Sequence, residues 1–370
     1  MSFQYALMFI IPILIWIGVA KIFLHYGISW KEMILQVFIT LSVIFGVFSL
    51  GFLSQTYDTM IVNGVVTKLD EKQQSCPRGW HELRDDFCTN YRTRQVRDGE
   101  TCTTNSNGIR TCTPRYRTQY KYVYPWERRY YVHSTIRTYE IARADPQGVT
   151  VPARFGEIET GDPVSGIASY TNYIMGASSS LFNEQASAQD LPEVNYPAIY
   201  DYYRVNRLII DGIDYDSKWY DTWNRQLSQI NSDIIETGAN VIVVLTNQDE
   251  KFSERLAQAW QGHNVNDVIV TIGVNEEKII WADVRSWGKD SIVNLLIRDG
   301  ILNLTSLDHD AINEVIKTAV QDHFQLQSME EFEYLADDIP PPTWVLVLAF
   351  IFLVMITPTL TFLFNKYDTL

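Results

Sequence analysis

Residues 33–53 read MILQVFITLSVIFGVFSLGFL, without one charged side chain. At about 1.5 Å of rise per helical residue this run crosses roughly 30 Å of hydrocarbon, and a helix apolar on every side belongs in lipid or deep in a large core. Working outward, Trp344 to Phe364 is a second run free of charge, and Tyr5 to Ala20 is a third. The third is short, but Lys21 can reach the interface and leave Ile22, Phe23 and Leu24 to lengthen it. It reads as a span rather than a signal peptide: positions 1–4 carry no Lys or Arg, no small-residue cleavage site follows, and another span comes directly after. Three transmembrane helices are expected, over 3–25, 33–54 and 343–364.

Basic residues orient them. Lys21, His25 and Lys31 lie in the loop 21–32 and Lys366 in the C-terminal tail, so both are expected in the cytoplasm, with the N-terminus and residues about 55–342 on the outer side. The bilayer is thus the first expected partner. Apart from Lys21 the spans hold no Asp, Glu, Lys or Arg to carry a proton or ion, so a transporter is not expected. The overall mean hydropathy of −0.09 hides the spans by averaging them with a polar middle. With 44 acids against 30 bases the net charge is −14, which argues against nucleic acid as a partner. An aromatic content of 13% argues against disorder.

The four cysteines, Cys76, Cys88, Cys102 and Cys112, all fall in the outer region, as disulfides in an oxidising compartment would. Their spacing lacks the closely paired arms of a zinc site. Ser106-Asn107-Gly108 reads as a hairpin turn with Gly108 in the left-handed position. Counting outward sets Cys102 opposite Cys112, at the separation a disulfide needs. Elimination then pairs Cys76 with Cys88.

Composition divides the outer region. Lys68 to Arg143 carries fifteen bases and nine acids, Ala144 to Pro340 twelve bases and thirty-two acids. The expected parts are a Cys-containing β-rich module (56–143), a loop-rich connection (144–215), an α/β domain (216–326) and an acidic, proline-ended spacer (327–342). In the β module Tyr116, Tyr120, Tyr122 and Tyr124 alternate with Arg115, Arg117 and Lys121, giving an aromatic face opposite a basic one. That pattern fits a binding platform for a glycan, a lipid headgroup or the acidic domain, and equally a sheet with its Tyr face packed and its Arg face solvated.

From Ser217 the periodicity is regular. Trp219, Trp223, Leu227, Ile230 and Ile234 share a helical face that Gly238 ends. Strands follow at 241–246, 268–272 and 278–283, with a helix through Phe252, Leu256 and Trp260 between the first two. Two more helices come after, the last striped by Ile312, Val315, Ile316, Ala319 and Val320. The fold class expected is an α+β membrane protein: three transmembrane helices, a disulfide-containing β module, and a small sheet covered by helices.

Glu236-Thr237-Gly238-Ala239, the strand Asn240-Val241-Ile242-Val243-Val244-Leu245, the segment Leu256-Ala257-Gln258-Ala259-Trp260 and the strand Asn266-Asp267-Val268-Ile269-Val270 resemble the TPM-domain family over about 219–324. The turn before the last strand, Gln261-Gly262-His263-Asn264-Val265, differs from the family's usual form. The resemblance implies a module displayed in periplasm or thylakoid lumen, linked in some members with phosphatase activity or divalent cations. The whole chain, including Ser169-Tyr170-Thr171-Asn172-Tyr173, is also similar to three-span membrane proteins of tailed phages of Gram-negative bacteria, which implies the inner membrane with the bulk in the periplasm.

In open α/β sheets ligands bind beyond the carboxyl ends of the strands. There this chain offers Asp249, Glu250 and Asp283, with Asp308 and Asp310 before the last helix. Such oxygens suit Ca²⁺ or Mg²⁺, while Asp308-His309-Asp310 also reads as a helix N-terminus stabilised by acids. The six histidines make no H-E-x-x-H pair, and neither a P-loop nor a nucleophile elbow occurs. The function expected is therefore a periplasmic interaction or assembly scaffold anchored in the inner membrane, self-associating or holding another membrane or periplasmic protein. The alternative is a divalent-metal-dependent phosphatase of the TPM type.

Overall fold

The computed structural model describes residues 3–23, 29–104, 110–177, 191–260, 263–304 and 306–367. Helix α1 (Phe3–Phe23) is followed by α2 (Trp30–Thr56), which opens on a capping box: the Glu32 amide donates to Ser29 Oγ, and the Ser29 amide to the Glu32 carboxylate. No loop closes α2. Tyr57 is both its C-cap and the first residue of β1 (Tyr57–Ser75), a strand of 19 residues.

β1 serves two neighbours in turn. Its first half pairs antiparallel with β6 (Pro163–Thr171), from Tyr57 opposite Thr171 to Val65 opposite Pro163. Its second half pairs antiparallel with β4 (Trp126–Ser134), from Val66 opposite Ser134 to Ser75 opposite Trp126. With β5 (Thr138–Ile141) the sheet order is β5-β4-β1-β6. Val66, Tyr130, Val132, Tyr139 and Val164 pack beneath it on Phe155 of the short helix α3 (Ala153–Gly156) and on Tyr203. β1 runs well past its apolar middle, because the polar run Asp70 to Ser75 continues a strand whose sides are largely exposed.

Beyond β1 a loop pinned by Cys76–Cys88 leads into β2 (Tyr91–Thr104) and β3 (Arg110–Tyr122), an antiparallel ribbon that joins no larger sheet. Cys102 stands opposite Cys112 in the register and is bonded to it. Both expected disulfides are present. The turn Ser106-Asn107-Gly108 lies outside the described residues.

After α4 (Tyr173–Gly176) and the two-residue strands β7 (Ile199–Tyr200) and β8 (Arg204–Val205), β9 (Leu208–Asp211) begins the second sheet. It continues through α5 (Ser217–Asp233), β10 (Asn240–Thr246), α6 (Lys251–Ala259), β11 (Asp267–Asn275), β12 (Lys278–Ser286), α7 (Ile292–Leu302) and α8 (His309–His323). The order is β12-β11-β10-β9, with β10 parallel to both β9 and β11 and β12 antiparallel. Val241, Val243 and Leu245 face α5, α7 and α8, while Ile242 and Val244 face Phe252 and Leu256 of α6. Burial on both sides is why β10 reads as an unbroken apolar run. Stretch 144–215, expected to be only a loop-rich connection, supplies β6 to one sheet and β9 to the other.

A 3₁₀ segment (Met329–Asp338) leads to α9 (Thr343–Tyr367). Trp30–Thr56 and Thr343–Lys366 are long and apolar enough to cross a membrane by length and composition; the apolar stretch Met8–Ile22 of α1 is shorter. The three helices pack together through Phe9, Ile13 and Ile17, Ile44, Val47 and Phe48, and Val345, Ala349 and Leu353. A Cβ on Gly51 would run into the Val345 side chain, so α2 and α9 approach as closely as a glycine permits. Gln36 Nε2 donates to the Thr357 carbonyl and to Thr361 Oγ1, both at 2.9 Å, and Trp16 Nε1 donates to the same hydroxyl at 3.1 Å, so one threonine ties all three helices.

Candidate functional site

Asp249 and Asp283, at the strand ends, have separate partners. Asp249, just before α6, pairs with Arg255 at 3.2 Å, and Glu250 beside it is exposed. Asp283, on β12, accepts from Ser253 Oγ at 2.5 Å and Arg285 Nε at 3.0 Å. Asp308 caps α8, accepting from the amides of Asp310 and Ala311 at 3.0 and 3.3 Å. Asp310 accepts from Gln226 Nε2 at 2.8 Å. Asp308, His309 and Asp310 can bring one ligand atom each within 4.8 Å of one another. Among the described residues, Asp249, Glu250 and Asp283 belong to no such group.

The tyrosine row is divided by depth. Tyr122 is buried against Phe87 and the Cys76–Cys88 bond. Tyr120 and Tyr122 each meet the edge of Tyr91, with ring centroids 5.1 and 6.1 Å away, and Tyr124, beyond β3, is half-buried. Tyr116, nearer the tip, is exposed. On the opposite face Arg115 pairs with Asp98 at 3.2 Å and Arg117 with Glu82 at 2.5 Å. Packing at the base and exposure toward the tip therefore coexist on one ribbon.

A buried polar network between the two sheets was not expected. Arg207, fully buried, donates to Ser165 Oγ on β6 at 2.9 Å and also to Asn63 of β1 and Asn240 of β10. Asn240 Nδ2 donates to Asp267 of β11 at 2.7 Å, and Asp267 further accepts from the Tyr196 hydroxyl at 3.0 Å and the Asn264 amide at 2.8 Å. Asn63 Nδ2 donates to Asn231 Oδ1 and the Ala239 carbonyl, and Asn266 Nδ2 to the Ile61 carbonyl at 2.8 Å. This network fastens the amino ends of β10 and β11 to the middle of β1. Burial raises Asp267 to about 6, against the hydrogen bonds from Asn240, Asn264 and Tyr196 and the charge of Arg207. Burial likewise lowers Arg207 to about 10 and raises Tyr196, which Asp267 pushes the same way. The sequence carries one signal: Asn63, Arg207, Asn240 and the pair Asn266-Asp267 each sit inside or directly before an apolar strand, where a polar side chain needs a buried partner.

Beside this junction a small pocket is lined by Tyr170, Asn172, Met175, His263, Trp287 and Met329. The Tyr170 hydroxyl and Asn172 Nδ2 both donate to Asp58, at 2.7 and 2.8 Å. Burial lowers His263 to about 4, with Arg285 adding to the effect and a hydrogen bond to Asn264 opposing it. The imidazole is thus neutral near pH 7, and its backbone holds a left-handed φ of 56°. A neutral, half-buried histidine suits packing better than proton transfer at neutral pH. No protein-family model, curated protein or solved structure matches the chain.

Proposed function

We propose that the chain is a three-span anchor of the inner membrane that holds its β module and its acidic α/β module in the periplasm as an interaction or assembly scaffold, and that it self-associates. The observation that carries this reading is the loopless passage of α2 into β1, whose 19 residues, at about 3.3 Å each, hold the ribbon at a fixed distance from the helix end. A protein built to present a surface needs such a rigid connection. The TPM-like stretch 219–324 and the likeness to phage membrane proteins support the compartment, and the strand-end carboxylates Asp249 and Asp283, each paired with an arginine, support binding over hydrolysis.

The test is to express the full chain in the inner membrane of a Gram-negative bacterium, alkylate free thiols without reductant, and purify it in detergent for sedimentation. All four cysteines protected and a species larger than the monomer are expected. Free thiols would overturn the compartment, and a monomer that hydrolyses an aryl phosphate only with Mg²⁺ or Ca²⁺ would replace the scaffold with a phosphatase.

A further inference from the structure

Two surfaces of the chain are electrically opposite. Residues 91–122, the ribbon, carry seven bases and two acids in a chain whose net charge is −14. The β2–β3 register sets Arg92 opposite Lys121, Arg94 opposite Gln119 and Val96 opposite Arg117, and alternation adds Arg115 to that face. Like charges directly opposed across an antiparallel pair destabilise it. Arg92 and Lys121 are such a pair, both exposed, and among the described residues neither has an acid within ion-pair reach. Nor does any hydrogen bond or ion pair join β2 or β3 to the α/β module among the described residues. A structured surface that keeps an unfavourable pair of cations is arranged for an anion from outside.

The opposite charge lies on the α/β sheet. Its amino ends are closed by the Arg207 network, so its carboxyl ends are the free edge. Asp214 and Asp216 follow β9, Asp249 and Glu250 follow β10, and Glu276 and Glu277 turn β11 into β12; all six are exposed, with Lys251 and Lys278 interleaved. We propose that the basic face of the β2–β3 ribbon docks on this acidic edge of a second copy of the chain. This interface rests on the self-association reading and names its surfaces. Two different patches meet, so the contact is head-to-tail, and copies held upright in one membrane repeat it into a ring or a row.

The full chain in detergent is sedimented at about 0.05 and 0.5 M NaCl, alongside Arg92→Glu/Lys121→Glu and Glu250→Lys/Glu277→Lys. The wild type is expected to be larger than a monomer at low salt and to dissociate at high salt, where screening extends only a few ångströms. Each double variant is expected to weaken association by at least about tenfold, and mixing the two to restore a mixed complex through the reversed pair. Disulfide content of each variant, read by mass, checks that the ribbon is intact. A wild-type oligomer untouched by either reversal overturns this interface and leaves self-association standing. A wild-type monomer at both salts overturns both. Ribbon variants that keep oligomer size but lose binding to vesicles of anionic lipid would assign the basic face to a lipid surface instead.

Discussion

The α/β sheet and the β2–β3 ribbon are both β-structure, yet almost nothing that stabilises one stabilises the other. Every residue of β10 is buried, whereas β3 from Arg110 to Arg117 is exposed throughout. A lone two-stranded ribbon is marginal in water, so this one is closed by Cys102–Cys112 toward its tip and seated at its base on Cys76–Cys88 and Tyr122. The sheet relies on apolar packing and one buried charge network. The difference teaches that the domain resists change at its centre, and the ribbon spends its sequence on surface chemistry because covalent bonds hold its shape.

The comparison breaks most severely at Arg207. Arg207→Leu leaves the side chains of Asn63, Ser165 and Asn240 without their buried donor and takes a nearby positive charge from Asp267, and a loss of about 3–5 kcal/mol is expected in the thermal unfolding of the α/β module, while protection of ribbon amides against hydrogen exchange stays unchanged. An equal loss of protection in both regions would show that they unfold as one unit.

Acid sharpens the contrast at two groups of the domain that burial shifts, His263 and Asp267. His263 is lowered from 6.5 to about 4, so the unfolded chain takes up a proton first; its contribution is complete above pH 6.5 and lost as pH falls toward 4. Asp267, raised from 3.8 to about 6, acts oppositely: the folded state holds the extra proton in that window and gains stability as pH falls through it. His263→Asn, which suits the left-handed backbone, removes the first effect and leaves the second. Its melting temperature should therefore rise from pH 6 to pH 4 where the wild type's falls or stays level, a difference of at most about 3 kcal/mol. Parallel pH profiles would show the imidazole to be solvated.

Replacing Cys102 and Cys112 together by Ser is expected to cost about 2–3 kcal/mol within the ribbon. Hydrogen exchange should rise across β2 and β3 but not in β10. Smallest is Asp308→Ala, about 1 kcal/mol from lost capping of α8. If added Mg²⁺ raises the wild type's melting temperature and not this variant's, the aspartate is a metal ligand as well as a cap.

What could be read from the residues followed the same division. Helices α5, α6 and α8 and strands β10 to β12 announce themselves because their apolar spacing is set locally, and the Cys102–Cys112 bond followed from counting around a turn. β9 is four residues long and becomes a strand only by lying beside β10; β1 pairs with segments more than fifty residues away. Those β1 partners lie about 50–70 residues away in β4 and about 100–115 away in β6, and neither period nor propensity registers them. The Arg207 network was invisible for a related reason. Its members come from β1, β6, β10, β11 and the segment before β9, and a polar residue at a strand's start looks like an ordinary boundary until the opposing chain is in place.

The passage from α2 into β1 has a mechanical meaning. A helix in a bilayer tilts as the hydrocarbon thickens or thins, and where a flexible linker would absorb that rotation, a strand in register on both sides conveys it. Over an arm of about 60 Å, a tilt of about 10° swings the far end sideways by about 10 Å. Where α2 crosses a bilayer, the lipid around it would set the reach of a ribbon well outside it, making the molecule a lever whose fulcrum is the membrane surface.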